Sequence, residues 1–153
     1  MGSAARPVSP LLKWAGGKRQ LLGALSAHYP ARFRRYIEPF LGSGAVFFDL
    51  LSRGRLEDRA VRLSDVSPDL IGCYSAVRDE PEAVIAALEA LEREHRTGGD
   101  DCYYDVRDRR FNPARAALAS RGGLNPADYD PALAAMLIFL NRTGFNGLFR
   151  LNR

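Results

Sequence analysis

The order of apolar periodicities predicts an α/β fold, a parallel sheet with crossover helices, followed by a helical segment. Three observations carry the prediction. Leu21, Leu22, Leu25 and Tyr29 repeat at helical spacing ahead of a short strand at Tyr36 to Glu38. Val46, Phe47, Leu50 and Leu51 then mark a helix, and Ala60 to Ser64 alternates as a second strand. Between the first strand and its helix lies Glu38-Pro39-Phe40-Leu41-Gly42-Ser43-Gly44. Two glycines there let backbone approach a ligand and open a helix N-terminus.

The elements follow in sequence. Residues 1 to 10 read as a loose, Pro-containing arm. The first helical run begins at Gly17 and stops at Pro30, and the next starts near Ser43 and ends at Gly54. Asp65-Val66-Ser67-Pro68 is a turn, with Ser67 the N-cap and Pro68 at the first helical position. Leu70, Ile71, Tyr74 and Val77 form the inner face of the helix that follows. After Glu80-Pro81 the character changes. Val84, Ile85, Leu88 and Leu91 mark a helix ending near Gly98-Gly99, and Cys102 to Phe111 is helical with Tyr103 and Tyr104 against Val106. Arg121 to Pro126 is a loop, and Leu133, Met136, Leu137 and Leu140 form a last helix ending before Gly144. The expected domains are therefore 1–80, an α/β part, and 81–153, a helical insertion placed after the second strand.

Composition narrows the classes. A chain of 153 residues with 46% hydrophobic content can bury a core, so it is globular. No apolar run approaches the ~20 residues that span a bilayer, and no membrane partner is expected. The first ten residues lack the apolar centre of a signal peptide. Cys73 and Cys102 stand apart, without a Cys-x-x-Cys pair. Neither a disulfide framework nor a metal site is implied, and a reducing cytoplasm is expected. The net charge of +4 hints at a polyanionic partner. Arg outnumbers Lys twenty to two, yet both Lys13 and Lys18 fall in one turn, Lys13-Trp14-Ala15-Gly16-Gly17-Lys18. An ammonium is compact where a guanidinium is broad, so Lys18 is expected where Arg would not fit.

The motifs themselves describe a nucleoside-type ligand. A dinucleotide fingerprint would place a third glycine at position 47, where Phe47 stands. A loop crowded by Phe40 and Phe47 suits an uncharged nucleoside better than a pyrophosphate. Asp65 ends the second strand, about where ribose hydroxyls fall in such folds, and a carboxylate can accept from both hydroxyls of a diol. The Lys18 turn is not a P-loop: no glycine stands five residues before Gly17, and Arg19 replaces the metal-binding hydroxyl.

These segments, with Asp65-Val66-Ser67-Pro68-Asp69-Leu70-Ile71 and Asn141-Arg142-Thr143-Gly144-Phe145-Asn146-Gly147-Leu148-Phe149-Arg150, occur in one order from Leu11 onward. In that order the chain resembles the Dam-type DNA adenine methyltransferases. The resemblance implies a Rossmann-like S-adenosylmethionine-dependent methyltransferase sheet, incomplete here, with a helical target-recognition insertion. It implies S-adenosylmethionine as cofactor and methylation of the exocyclic amine of adenine in double-stranded DNA. Trp14, Lys18, Phe40, Gly42, Gly44 and Asp65 would hold the cofactor. Phe145, Asn146, Leu148 and Arg150 would contact DNA, Arg150 by its fork and Phe145 by stacking where a base leaves the helix. The chain departs from the family in carrying no Asp-Pro-Pro-Tyr box. That box accepts the protons of the adenine amine and stacks on the flipped base. The chain is thus expected to be an inactive N-terminal fragment, monomeric, cytoplasmic, and of bacterial or phage origin, as in restriction-modification. A non-catalytic DNA-binding module and a methyltransferase for a non-DNA substrate are the alternatives.

Overall fold

The computed structural model describes residues 8–144, and the chain divides into two compact units, 1–66 and 67–153.

In the first unit a 3-10 turn, Lys18–Leu21, leads into α1, Leu22–Ser26. Then come β1 (Arg35–Glu38), α2 (Ala45–Ser52) and β2 (Ala60–Leu63). The two strands pair in parallel, Arg35 opposite Ala60 and Glu38 opposite Leu63, with α2 as the crossover. The ladder continues past the strand ends: Ser64 N donates to the Glu38 carbonyl at 2.9 Å and Leu41 N to the Ser64 carbonyl at 3.0 Å. Those two bonds bring the glycine loop and Asp65 side by side. Leu12, Leu41, Ala45, Leu50 and Leu56 are buried. Leu21 is exposed, contrary to the helical face expected for it. The 3-10 turn advances 120° per residue, which rotates Leu21 off the face that an α-helix would give it. Val61 is exposed as well, so only Leu63 of the expected alternating pair is partly covered.

The second unit holds α3 (Pro68–Asp79), α4 (Pro81–Asp105), a π-helical turn (Val106–Phe111), α5 (Asn112–Ala119) and α6 (Pro131–Thr143). A 3-10 turn at Pro126–Asp128 precedes α6. The expected proline start at Pro68 is present, and Pro131 makes a second one that the sequence reading did not single out. Ser67 Oγ accepts from Leu70 N at 3.4 Å, and Asp130 Oδ1 from Leu133 N at 2.7 Å, each with Pro next in line. α6 is buried on almost every side, from Leu133 through Asn141, and packs on α3, α4 and the π turn. An apolar all-round helix is a central helix. As expected, the helix that starts at Pro81 breaks at Gly99 (φ +54), and a second helical stretch follows it to Asp105.

α3 shows an informative rotation. Its buried residues are Asp69, Leu70, Gly72, Cys73 and Ala76, not Ile71, Tyr74 and Val77. Gly72 explains it. A Cβ there would lie 2.5 Å from Tyr129 Cγ, so only glycine lets the ring press on the helix. The Tyr129 hydroxyl donates to Asp69 Oδ1 at 3.4 Å, and Arg115 grips both Asp69 oxygens from Nε at 2.8 Å and a terminal nitrogen at 2.9 Å. This fork is the strong, geometry-fixing type of ion pair. Burial, and then Asp69, push the Tyr129 hydroxyl far above its ordinary pKa. Burial also pushes the Cys73 thiol up to about 12, with Asp69 adding to it. Tyr104 departs from the packing expected of it. It is exposed, edge-on to Tyr103, with the Arg107 guanidinium 4.9 Å from its ring centre.

Candidate cofactor site

The site is built from the turn before α1, the loop after β1 and the end of β2. Gly17 N donates to the Trp14 carbonyl at 3.1 Å and closes the first turn, with Gly16 at φ +74. A Cβ on Gly17 would lie 3.0 Å from the Trp14 oxygen and 3.2 Å from Ser43 Oγ, so this turn is pressed against the glycine loop. In that loop Gly42 and Gly44 take φ +54 and +73, conformations that cost other residues about 1–2 kcal/mol. A Cβ on Gly42 would touch Trp14 Cδ1 at 3.5 Å, which places the indole beside Gly42.

Asp65 closes the arrangement. Its Oδ2 accepts from Gly42 N at 2.8 Å, fixing the loop to the end of β2. Lys18 reaches across from the other side. Its Nζ donates to the Phe40 carbonyl at 2.8 Å and to Glu38 Oε1 at 3.3 Å. Glu38 is buried, and its second oxygen accepts from the Tyr36 hydroxyl at 2.6 Å. Burial and then this bond raise the Tyr36 hydroxyl well above its ordinary pKa. An ammonium has three donors, and these two bonds occupy two of them.

Trp14, Lys18, Gly42, Gly44 and Asp65 therefore converge within one unit although they span residues 14 to 65. Phe40 belongs to the same loop, but its side chain is 75% exposed and does not crowd it. The ring next to Gly44 belongs to Phe48, with Phe47 edge-on to it at 5.0 Å. Sequence reasoning misses Tyr36 and Glu38 as members of the bonded chain behind the loop. Their one signal is a carboxylate at a strand end two residues from a phenol, a pattern common in strands without any site. Phe145, Asn146, Leu148 and Arg150 lie outside the described residues.

The described residues thus form a parallel β-α-β unit with a glycine loop at the first strand end and a carboxylate at the second. The sequence profile of the D12 class N6 adenine-specific DNA methyltransferases matches residues 14–153, and the chain belongs to that family. It is 37% identical over 156 residues to the type II methyltransferase M.MjaIII of Methanocaldococcus jannaschii, covering 95% of this chain and 49% of that one. It is 34% identical over 143 residues to the type II methyltransferase M1.LlaDCHI of Lactococcus lactis subsp. cremoris, covering 94% and 44%. A DNA adenine methylase of Vibrio cholerae is 34% identical over 144 residues, covering 93% and 43%. The chain thus spans about half the length of these relatives. Among the described residues, no helix is long and apolar enough to cross a membrane.

Proposed function

We propose that this chain is the N-terminal portion of a site-specific DNA adenine methyltransferase, and that its first unit holds S-adenosylmethionine. The observation that carries the reading is the Asp65 to Gly42 bond with the Trp14 indole alongside. A carboxylate at a strand end can accept from both hydroxyls of a ribose diol. Gly42 and Gly44 bring backbone close to the ligand, and Trp14 offers it a flat apolar surface. Lys18 acts mainly as a strut, holding the Phe40 carbonyl so that the loop keeps its shape. Phe40, exposed beside that loop, is placed to cover the ligand.

The cofactor supplies an electrophilic methyl group on a sulfonium centre. The residues here bind and orient it. The target amine needs an acceptor for its protons, and no Asp-Pro-Pro-Tyr sequence stands in this chain. Cofactor binding without turnover is the expected behaviour. In this reading 1–80 is part of a Rossmann-like catalytic domain and 81–153 a helical target-recognition insertion. Phe145, Asn146, Leu148 and Arg150 contact double-stranded DNA in the major groove.

Trp14 is the sole tryptophan, so its emission reports directly on the site. Titration with S-adenosylmethionine is expected to change that emission saturably, and Asp65→Ala to abolish the change. A flat titration, matched by no heat in calorimetry, overturns the reading. A labelled-methyl assay on duplex DNA is expected to show no transfer by this chain.

A further inference from the structure

We propose that Ser52 is a positioning residue for Trp14. It acts from the far end of α2 through residues 8–14, a strap drawn along that helix. This rests on the cofactor reading above and adds to it a residue well away from the glycine loop.

The strap has two anchors, both within the first unit. Val8 N donates to Ser52 Oγ at 2.9 Å, and Ser52 Oγ donates in turn to the Val8 carbonyl at 3.2 Å. A hydroxyl has one donor and two acceptor positions, so a single serine can clasp both polar groups of one residue. The two residues stand 44 apart in the sequence. Leu12 is the second anchor. Its backbone is neither helix nor strand, yet the residue is 2% exposed and among the largest fully buried side chains. Trp14 follows two residues later. Its carbonyl accepts from Gly17 N, and its indole lies beside Gly42.

Clasp and indole belong to opposite ends of α2. Ser52 is the last residue of that helix, and Gly42 stands three residues before its first, Ala45. Eight residues of helix rise about 12 Å. The six steps of chain from Val8 to Trp14 reach at most about 20–22 Å. A segment that covers the helix and the loop ahead of it therefore has limited slack. Pro10 reduces it further, because its ring fixes its own φ and holds Ser9 extended. The bonding of Ser52 is also unlike that of the other serines at helix ends. Ser26 and Ser120 each donate to the carbonyl three residues earlier, at 3.0 and 2.8 Å, and so serve their own helices. Ser52 reaches across the unit instead. Trp14 sits in a turn with no helix or strand of its own, and an indole that wanders in the free protein must be ordered when a ligand binds. A strap clasped at Ser52 restricts that freedom beforehand.

The test uses the full chain and reads its sole tryptophan in two ways. Emission anisotropy without cofactor reports how firmly the indole is held, and titration with S-adenosylmethionine reports affinity. Ser52→Ala should lower the anisotropy and weaken binding about threefold to fivefold, the share of two exposed hydrogen bonds. Ser52→Thr keeps the hydroxyl and should hold both values. Ser120→Ala, in the second unit, is the control and should change neither. Ser52→Ala with unchanged anisotropy or unchanged affinity overturns the proposal, even where its stability in urea falls, because the serine would then serve α2 alone. An equal loss in Ser52→Thr or in Ser120→Ala overturns it too, since the hydroxyl of residue 52 would not be the cause. A wild-type chain that binds no S-adenosylmethionine overturns the cofactor reading instead. The anisotropy needs no ligand and still decides whether Ser52 holds Trp14, so the two failures are separable.

Discussion

Lys18→Met is the most demanding perturbation of the site, because it keeps the length of the side chain and removes only its charge and donors. The Glu38 side chain is 8% exposed and that of Lys18 38%. Stripping the partner from a fully buried ion pair costs about 3–5 kcal/mol. Solvent reaches more than a third of Lys18, so the loss here is about 1–2 kcal/mol. The bond to the Phe40 carbonyl contributes a further ~1 kcal/mol. In a Glu38→Gln background the charge term is already gone, and Lys18→Met should cost only the carbonyl bond. The double-mutant cycle should therefore return a coupling of about 1–2 kcal/mol, read by urea unfolding followed through circular dichroism. A coupling within about 0.3 kcal/mol of zero would show two independent side chains and refute the strut. Lys18→Arg tests the geometry separately. A guanidinium cannot place one compact donor between the Phe40 carbonyl and Glu38 Oε1, so the loop should shift and S-adenosylmethionine binding should be abolished. Full affinity in that variant sinks the claim.

Asp65→Ala should raise the cofactor dissociation constant more than a hundredfold, about 3 kcal/mol, because charge-assisted bonds to the ribose and to Gly42 N go together. A change below tenfold in calorimetry would remove Asp65 from the site. Gly72→Ala should destabilise the second unit by about 1–2 kcal/mol. The new Cβ meets Tyr129 Cγ at 2.5 Å, and the helix-forming gain of Ala offsets only part of that overlap. In a Tyr129→Gly background, which removes both the ring and the Tyr129 Cβ that would lie 2.6 Å from the new atom, the penalty should vanish, and thermal melts of the four proteins decide it. Alkali should destabilise the second unit through Cys73. Its thiol titrates near 9.0 when exposed and at about 12 when buried in the fold. Its contribution is complete below pH 9 and is lost between pH 9 and 12 at up to about 1.4 kcal/mol per pH unit. Cys73→Ala should flatten that part of the stability curve, and an unchanged slope would refute the assignment.

Local chemistry explains which parts of the fold could be read in the residues. Pro68 after Ser67 marks a helix start, because proline needs no donor there and the preceding side chain supplies the cap. The strand–glycine–helix order around Glu38 to Ala45 is similarly local. What could not be read depends on contacts far along the chain. The rotation of α3 follows from Tyr129, fifty-seven residues beyond Gly72, and from Arg115 meeting Asp69. No periodicity within α3 contains that information. α5 escapes the sequence reading as well, since an alanine-rich turn after Asn112-Pro113 lacks the apolar spacing that marks a helix.

The site divides along the same line, and the division bears on how it works. Glycines at φ +54 and +73 announce themselves, because the residue type and the backbone need coincide. The partners of Lys18 do not. A lysine in a glycine turn suggests a direct grip on an anion, whereas its ammonium is bound to a backbone carbonyl and a buried carboxylate of the protein itself. Tyr36 completes the chain of donors by holding the other Glu38 oxygen at 2.6 Å. Shaping the loop before a ligand arrives lowers the ordering cost at the moment of binding. On the proposed reading, the residues that set affinity would include two, Tyr36 and Glu38, that need touch no ligand. Tyr36→Phe tests this: it should weaken cofactor binding severalfold while leaving Trp14 and Asp65 chemically intact, and an unchanged affinity would confine the site to its first ring of contacts.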